Sequence, residues 1–311
     1  AAVPDEFLVN ENVVKGSMTL VDAERSAHLY SRISNPTQTS GGSASNTAYG
    51  LASLGGRAGF IGKIADDDLG RVFGADMDKV GVGFHPGATS ATEPTGRCII
   101  AVTPDGQRSM STFLGAASLL EPADISREAV QSGAVLFLEG YLFDRDEAKA
   151  AFKTASQFAH EAGRKVALTL SDSFCVDRHR DDFLDLILND IDVLFCNEFE
   201  LQSLYQTSYE EALEQLRSDC EFGAVTRDKR GSVVINGHDL VHIEPEPVDR
   251  VVDATGAGDQ YAAGFLYGFT RGMAIEHCGR LGSMSASEVI THVGPRPLVQ
   301  LSTLIPEHLR S

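Results

Sequence analysis

Hydrophobic positions in the second half of the chain switch between two periods. From about residue 129, the strand-length apolar runs "AVLFLEG", "KVALTLS" and "DVLFCN" alternate with stretches of helical spacing such as "RDEAKAAFKTASQFAHEAG", with "FLDLILND" before the last run. This alternation predicts a parallel sheet with crossover helices. Upstream, "SASNTAYGLASLGG" predicts an alanine-rich helix ended by Gly55 and Gly56, with a buried strand following in "AGFIGKI". Residues 96–113, "GRCIIAVTPDGQRSMSTF", predict a hairpin around Pro104, Asp105 and Gly106, within a small and mostly β element. No repeat, low-complexity tract or linker divides the chain, so a second unit is expected as an insertion or extension. Ligands of open parallel sheets lie at the carboxyl ends of the strands, and the polar motifs are expected there.

Composition narrows the class. Apolar residues are 42% and charged residues 23% of the 311, which suits a soluble globular protein with a sizeable core. A net charge of −18 repels phosphate backbones and anionic lipid, so neither nucleic acid nor membrane is an expected partner. Five scattered cysteines without a C-x-x-C pair fit reduced thiols and a cytoplasmic location. No apolar run reaches the roughly 18 residues of a membrane span, and "AAVPDEFLVNENVV" lacks a signal pattern.

The stretch "DATGAGDQYAAGF" combines a small-residue turn, able to aim backbone N–H groups at an anion, with a helical pattern. Tyr261, Phe265 and Phe269 form its core stripe. Asp259 has two readings: an acid favoured by the helix dipole, or a general base set against an anion turn. In "GGSASN", Gly41 and Gly42 allow close backbone approach to a polyhydroxyl ligand that Asn46 would bond; the alternative is a loop before a helix. In "NEFE", Asn197 and Glu200 have capping-box spacing, against a role at Mg²⁺ or phosphate. "TRDKRGS", with Thr226 and Gly231, reads as a hairpin turn or a nucleotide border. Arg108 reads as a solvated charge or a clamp on transferring phosphate.

Other features carry less. Asp66, Asp67 and Asp68 point to different helical faces and suit capping, and His238 and His242 lie on a strand-like stretch rather than an H-E-x-x-H helix. There is no G-x-x-x-x-G-K-[ST] loop, and "GVGFHPG" lacks the third glycine of a dinucleotide fingerprint.

In this order, "GGSASN", "NEFE" and "DATGAGD" resemble the ribokinase (phosphofructokinase-B) family of sugar and nucleoside kinases, over nearly the whole chain and including "FIGKIADDDLG". "VKGSMTLVD", "DGQRSMSTFLGA", "LEGYLFD" and "ASEVITHVGPRP" look most like its adenosine-kinase-type branch. The resemblance implies a three-layer α/β/α sandwich with a mainly parallel sheet in residues 41–83 and 115–311, and a small β lid in 1–40 and 84–114. It implies ATP as donor, Mg²⁺, and often K⁺. By that resemblance Asp259 is the base, Gly256, Ala257 and Gly258 form the anion hole, and Arg108 closes from the lid. Gly41, Gly42, Asn46 and Glu139 face the substrate, and Asn197 and Glu200 serve Mg²⁺ and phosphates. Thr226, Gly231, His292 and Gly294 border the nucleotide, and Asp253 with Thr255 would hold K⁺. The family's opening G-N-x-x-x-D strand has no match in "AAVPDEFL", and Asp5 is no replacement for its acid; either that strand lies outside this stretch of sequence or substrate binding is impaired.

The expected activity is phosphorylation of a primary hydroxyl, adenosine to AMP, by a monomer or homodimer. The alternatives are a sugar kinase for ribose, fructose or a keto-deoxy acid, and a non-catalytic nucleoside or sugar sensor.

Overall fold

Strands that are apolar on both sides must be covered on both sides, and the central strands here are of that kind. The computed structural model describes residues 1–87, 89 and 92–309. Its main sheet runs β11-β10-β9-β8-β7-β6, from β6 (Val135–Glu139), β7 (Lys165–Thr169), β8 (Val193–Asn197), β9 (Phe222–Thr226), β10 (Ser232–Asn236) and β11 (Asp239–Ile243). The first four are parallel, and β9 to β11 form an antiparallel meander. Alternate residues divide between two cores: Val166, Leu168, Leu194, Cys196 and Val225 join one, while Ala167, Val193, Phe195 and Ala224 join the other.

The first core is closed by α6 (Asp146–Glu161), α7 (Ser173–Asn189), α8 (Glu198–Tyr205) and α9 (Tyr209–Asp219). The second is closed by α10 (Ala257–Phe269) and α11 (Ile275–Val289), with α3 (Ser43–Ser53) packed beside α10. Tyr261 and Phe265 are buried in that second core with Phe269 against it, so the aromatic stripe is structural. The short α5 (Arg127–Ser132) leads into β6. The architecture is a mixed and mostly parallel sheet between two helical layers, the three-layer arrangement expected.

One expectation changes. "AGFIGKI" supplies β2 (Gly59–Gly62), which is only partly buried and pairs in parallel with β3 (Gly83–Pro86) rather than with the main sheet. Helix α3 lies against both β2 and β6, and Ile61 packs on the first core, so the pair continues the layer across an open slot. Among the described residues no strand pairs with the facing edges of β2 and β6. Helix α4 (Asp68–Lys79) follows β2, capped by Asp67, with Arg71 bonded to Asp66 and Asp68. The acidic run is a cap, as its spacing predicts.

A separate three-stranded sheet, β1-β5-β4, stands over the carboxyl ends of the main strands, with β1 (Met18–Leu20) parallel to β5 (Arg108–Phe113) and β4 (Arg97–Val102) antiparallel to it. The hairpin forms at residues 103–107 as its turn chemistry predicts. The element is less purely β than expected. Helix α2 (Ala23–Arg32) packs on β4 and β5 and α1 (Asp5–Asn10) precedes β1. The missed signal for α2 is Asp22, which caps it, followed by Ser26 and Leu29 three apart and buried. Asp5 lies on α1 and pairs with Lys15. No helix among the described residues is long and apolar enough to cross a membrane.

Candidate active site

The register pairs Glu139 with Thr169 and Asn197 with Thr226, so the strand ends form one row. That row lines a cleft of ≈ 3020 Å³ that also reaches the lid sheet, the starts of α3 and α10, and the slot between β2 and β6.

Helix α10 begins where the backbone turns on Gly256, whose φ of 81° is left-handed. A Cβ there would stand 2.5 Å from the carbonyl oxygen of Pro295. Gln260 N–H closes the first helical bond onto Gly256, leaving the N–H groups of Gly258 and Asp259 without a partner inside the helix. Gly258 has open space where a side chain would be. A small anionic group fits against these donors and the positive helix end.

Asp259, in the same turn, accepts hydrogen bonds from the Ser43 hydroxyl at 2.7 Å and from Nδ2 of Asn46 at 2.9 Å. Both donors come from the first turn of α3, which starts after Gly42 at φ 96°. Burial pushes the Asp259 carboxyl above its ordinary range, and these two hydrogen bonds pull it back. Asn46, expected at substrate hydroxyls, is 4% exposed with its amide between Asp259 and Arg296. Gly41 and Gly42 are exposed on the cleft wall.

Glu139 ends β6 nearby. Burial, then the charge of Asp259, pushes its carboxyl from an ordinary 4.5 up to about 8. At neutral pH it therefore holds a proton. Because the folded state binds that proton more tightly, the stabilisation is complete below about pH 4.5 and is lost as pH rises through about 8. Glu139→Gln, which mimics the neutral acid, should match the wild type in melting temperature near pH 4.5 and exceed it progressively toward pH 9. Thermal scans across that range check this; parallel curves would refute it.

Arg108 reaches from the lid to the α10 turn, donating from Nη1 to Thr255 Oγ1 at 2.6 Å and pairing with Asp253. Asp253 also accepts from the N–H groups of Thr255 at 2.7 Å and Gly294 at 3.0 Å. Asn197 and Glu200 form the capping box of α8, with Oδ1 of Asn197 taking the N–H of Glu200 at 2.9 Å and Glu200 taking the N–H of Asn197 at 2.9 Å. Burial pushes Glu200 up to about 7. Thr226 and Gly231 flank the β9–β10 turn, and His292 lies 3.3 Å from Glu288 near Gly294.

The signature of the pfkB family carbohydrate kinases matches residues 9–301. The chain belongs to the pfkB family. It is similar to the adenosine kinase from Sinorhizobium meliloti, with 46% identity and a TM-score of 0.91 over 98% of this chain and 94% of the other. A probable sugar kinase protein from Rhizobium etli superposes with TM-score 0.91 at 44% identity, covering 98% and 93%. A 5-dehydro-2-deoxygluconokinase of Bacillus subtilis is 28% identical over 269 residues, 81% of this chain and 80% of the relative.

As a pfkB kinase the chain is a phosphotransferase acting on the alcohol group of a small molecule. The family uses ATP, generally with Mg²⁺, and the turn at Gly256 suits a phosphate. Among the described residues no group of three or more metal-ligating side chains gathers. Asn197 and Glu200, expected at Mg²⁺ and phosphate, are bonded to each other in the α8 cap and would act on such an ion through water. Asp253 and Thr255, expected to hold K⁺, lie together before the α10 turn, with Asp253 bonded to the N–H groups of Thr255 and Gly294 and paired with Arg108.

Three contributors escape the sequence motifs. Ser43 lies inside "GGSASN" without standing out from its neighbours. Gln260 donates to the carbonyls of Asn46 at 3.0 Å and Pro295 at 3.1 Å, tying α3, α10 and the 294–297 loop together. Arg296 had a signal, a lone cation between two prolines that restrict its backbone.

Proposed function

We propose that this kinase transfers the γ-phosphate of ATP to the 5′-hydroxyl of adenosine, giving AMP. Asp259 takes the hydroxyl proton, the 256–258 turn and the start of α10 receive the phosphoryl oxygens, and Arg108 closes over them from the lid. Phosphoryl transfer needs mainly positioning and charge neutralisation, which these groups supply.

The observation that carries the choice of acceptor is the inner face of the lid. Arg108, Met110 and Thr112 share one face by the two-residue period, with Ile100 and Cys98 opposite on β4 and Met18 and Leu20 on β1. Because Arg108 reaches Thr255, this face looks toward Asp259. Its partners on the other face, Ile99, Ala101, Ser109, Ser111 and Phe113, are buried. An uncovered apolar face suits the flat surface of a purine, whereas a sugar or keto acid needs polar donors there. The S. meliloti relative's name agrees with this choice. The R. etli and B. subtilis relatives favour the second reading, a sugar or keto-deoxy acid as acceptor.

A panel of adenosine, ribose, fructose and 5-dehydro-2-deoxygluconate with ATP and Mg²⁺ decides between them. Adenosine should give the highest kcat/KM, by at least about 100-fold, since each 1.4 kcal/mol of lost apolar contact is tenfold. Turnover of a sugar with adenosine inert would reject the proposal.

A further inference from the structure

Arg296 stands between Pro295 and Pro297, both buried, and its guanidinium crosses to α3. Nε donates to Oδ1 of Asn46 at 3.2 Å and Nη2 to Oγ of Ser45 at 3.1 Å, with the group 4.9 Å above the ring of Tyr49. The other amide atom of Asn46, Nδ2, donates to Oδ2 of Asp259 at 2.9 Å. Arginine carries donors only. The amide atom that meets it must be the oxygen, which leaves the NH₂ group for Asp259. Were the amide to turn over, its oxygen would oppose the carboxylate, a contact relieved only by protonating Asp259.

We infer that Arg296 is a positioning residue for phosphoryl transfer: it locks the Asn46 amide in the orientation that offers Asp259 a donor, and so keeps Asp259 a carboxylate. This rests on the reading of Asp259 as the base. The loop bearing Arg296 is itself fixed, because Gln260 donates to the Pro295 carbonyl and Gly294 N–H to Asp253. Other ionisable groups surround the pair. Glu139 and Tyr141 face Asp259 from the end of β6, Arg108 comes from the lid already paired with Asp253, and Asp76 on α4 faces Arg296. Among the described residues, the hydrogen bonds to the Asp259 carboxylate come from Ser43 and Asn46. The influence of Arg296 therefore passes through one amide.

The test is the pH dependence of kcat, with ATP, Mg²⁺ and adenosine, for the wild type and three variants. Arg296→Met should move the acid limb of kcat up by about one pH unit, so that kcat falls about tenfold at pH values on that limb, and leave both KM values within about twofold, since a carboxylate loses a donor to its charged form. The rate should recover as pH is raised. Arg296→Lys, again a donor only, should stay close to the wild type. Arg296→Gln can accept as well as donate and should fall between, and it carries the comparison with Lys if the Met variant does not fold. The same shift is expected in a Glu139→Gln background, where the neighbouring carboxyl is gone. An unmoved acid limb overturns the inference, as does a loss confined to the KM for ATP, which would make Arg296 a phosphate contact. Asp259→Asn separates the two levels: if that variant stays active the base reading fails, and if it is dead while the Arg296 variants keep the wild-type limb, only this inference fails.

Discussion

Asp259→Asn should lower kcat by about 10²- to 10⁴-fold, the range expected for removal of a general base, with the KM for ATP little changed. The substitution preserves shape. Asn can still present an oxygen to Nδ2 of Asn46, and the Ser43 hydroxyl can turn to accept from its new NH₂ group, so the link between α3 and α10 survives. Folding should be unimpaired, because a carboxylate that burial disfavours is removed. A second consequence follows for Glu139, whose carboxyl is raised in part by the Asp259 charge. In the variant, Glu139 should ionise at lower pH than in the wild type, which a carboxyl-region NMR titration can read. A kcat within about tenfold of wild type, with the fold intact, would remove Asp259 from the chemistry, given the range above.

The α/β layering was legible because each central strand is apolar at both odd and even positions and each helix repeats every three to four residues. Val166 through Leu168 could belong only to a strand covered on both sides, and they do. The lid hairpin was legible from its turn residues. What escaped detection depended on tertiary contact. Helix α2 has only Ser26 and Leu29 buried, and a stripe that narrow does not stand out from a polar stretch. The separation of β2 from the main sheet follows from which edges meet, and "AGFIGKI" reads the same in either place. Likewise the turn at Gly256, the acid at Asp259 and the motif at Asn46 were visible as separate phrases 213 residues apart, yet nothing local said that the Asn46 amide would meet that acid. Arg296 lies farther still, 250 residues from Asn46, and its place between two prolines did not say which amide it would meet. "NEFE" was the opposite case. Its spacing specified a capping box, and that box is present.

The two glycines of the α10 turn should respond in opposite ways to the same added methyl group. At Gly256 the backbone is left-handed and a Cβ would meet the Pro295 backbone at 2.5 Å. The conformational penalty of about 1–2 kcal/mol and an overpacking penalty of about 1–3 kcal/mol together predict a loss of roughly 2–5 kcal/mol for Gly256→Ala. Its melting temperature should fall by several degrees or more, and turnover should fall with it, because the turn and the Pro295 loop cannot keep their contact. Gly258 has no left-handed φ and nothing within 4 Å of the added carbon. Gly258→Ala in the first turn of α10 should therefore be as stable as the wild type, or more so by up to about 1 kcal/mol from the lower helix cost of alanine. Its kcat/KM for ATP should nevertheless drop by about 10²-fold or more, because the methyl group would fill the space where a phosphoryl oxygen must approach the N–H groups, and a single lost donor to a developing anion is worth that much. Stability separates the readings. A Gly258→Ala enzyme that is stable and fully active would mean that the phosphoryl group does not bind at this helix start, while one that is stable and nearly inactive would leave the open space above Gly258 as the site of transfer.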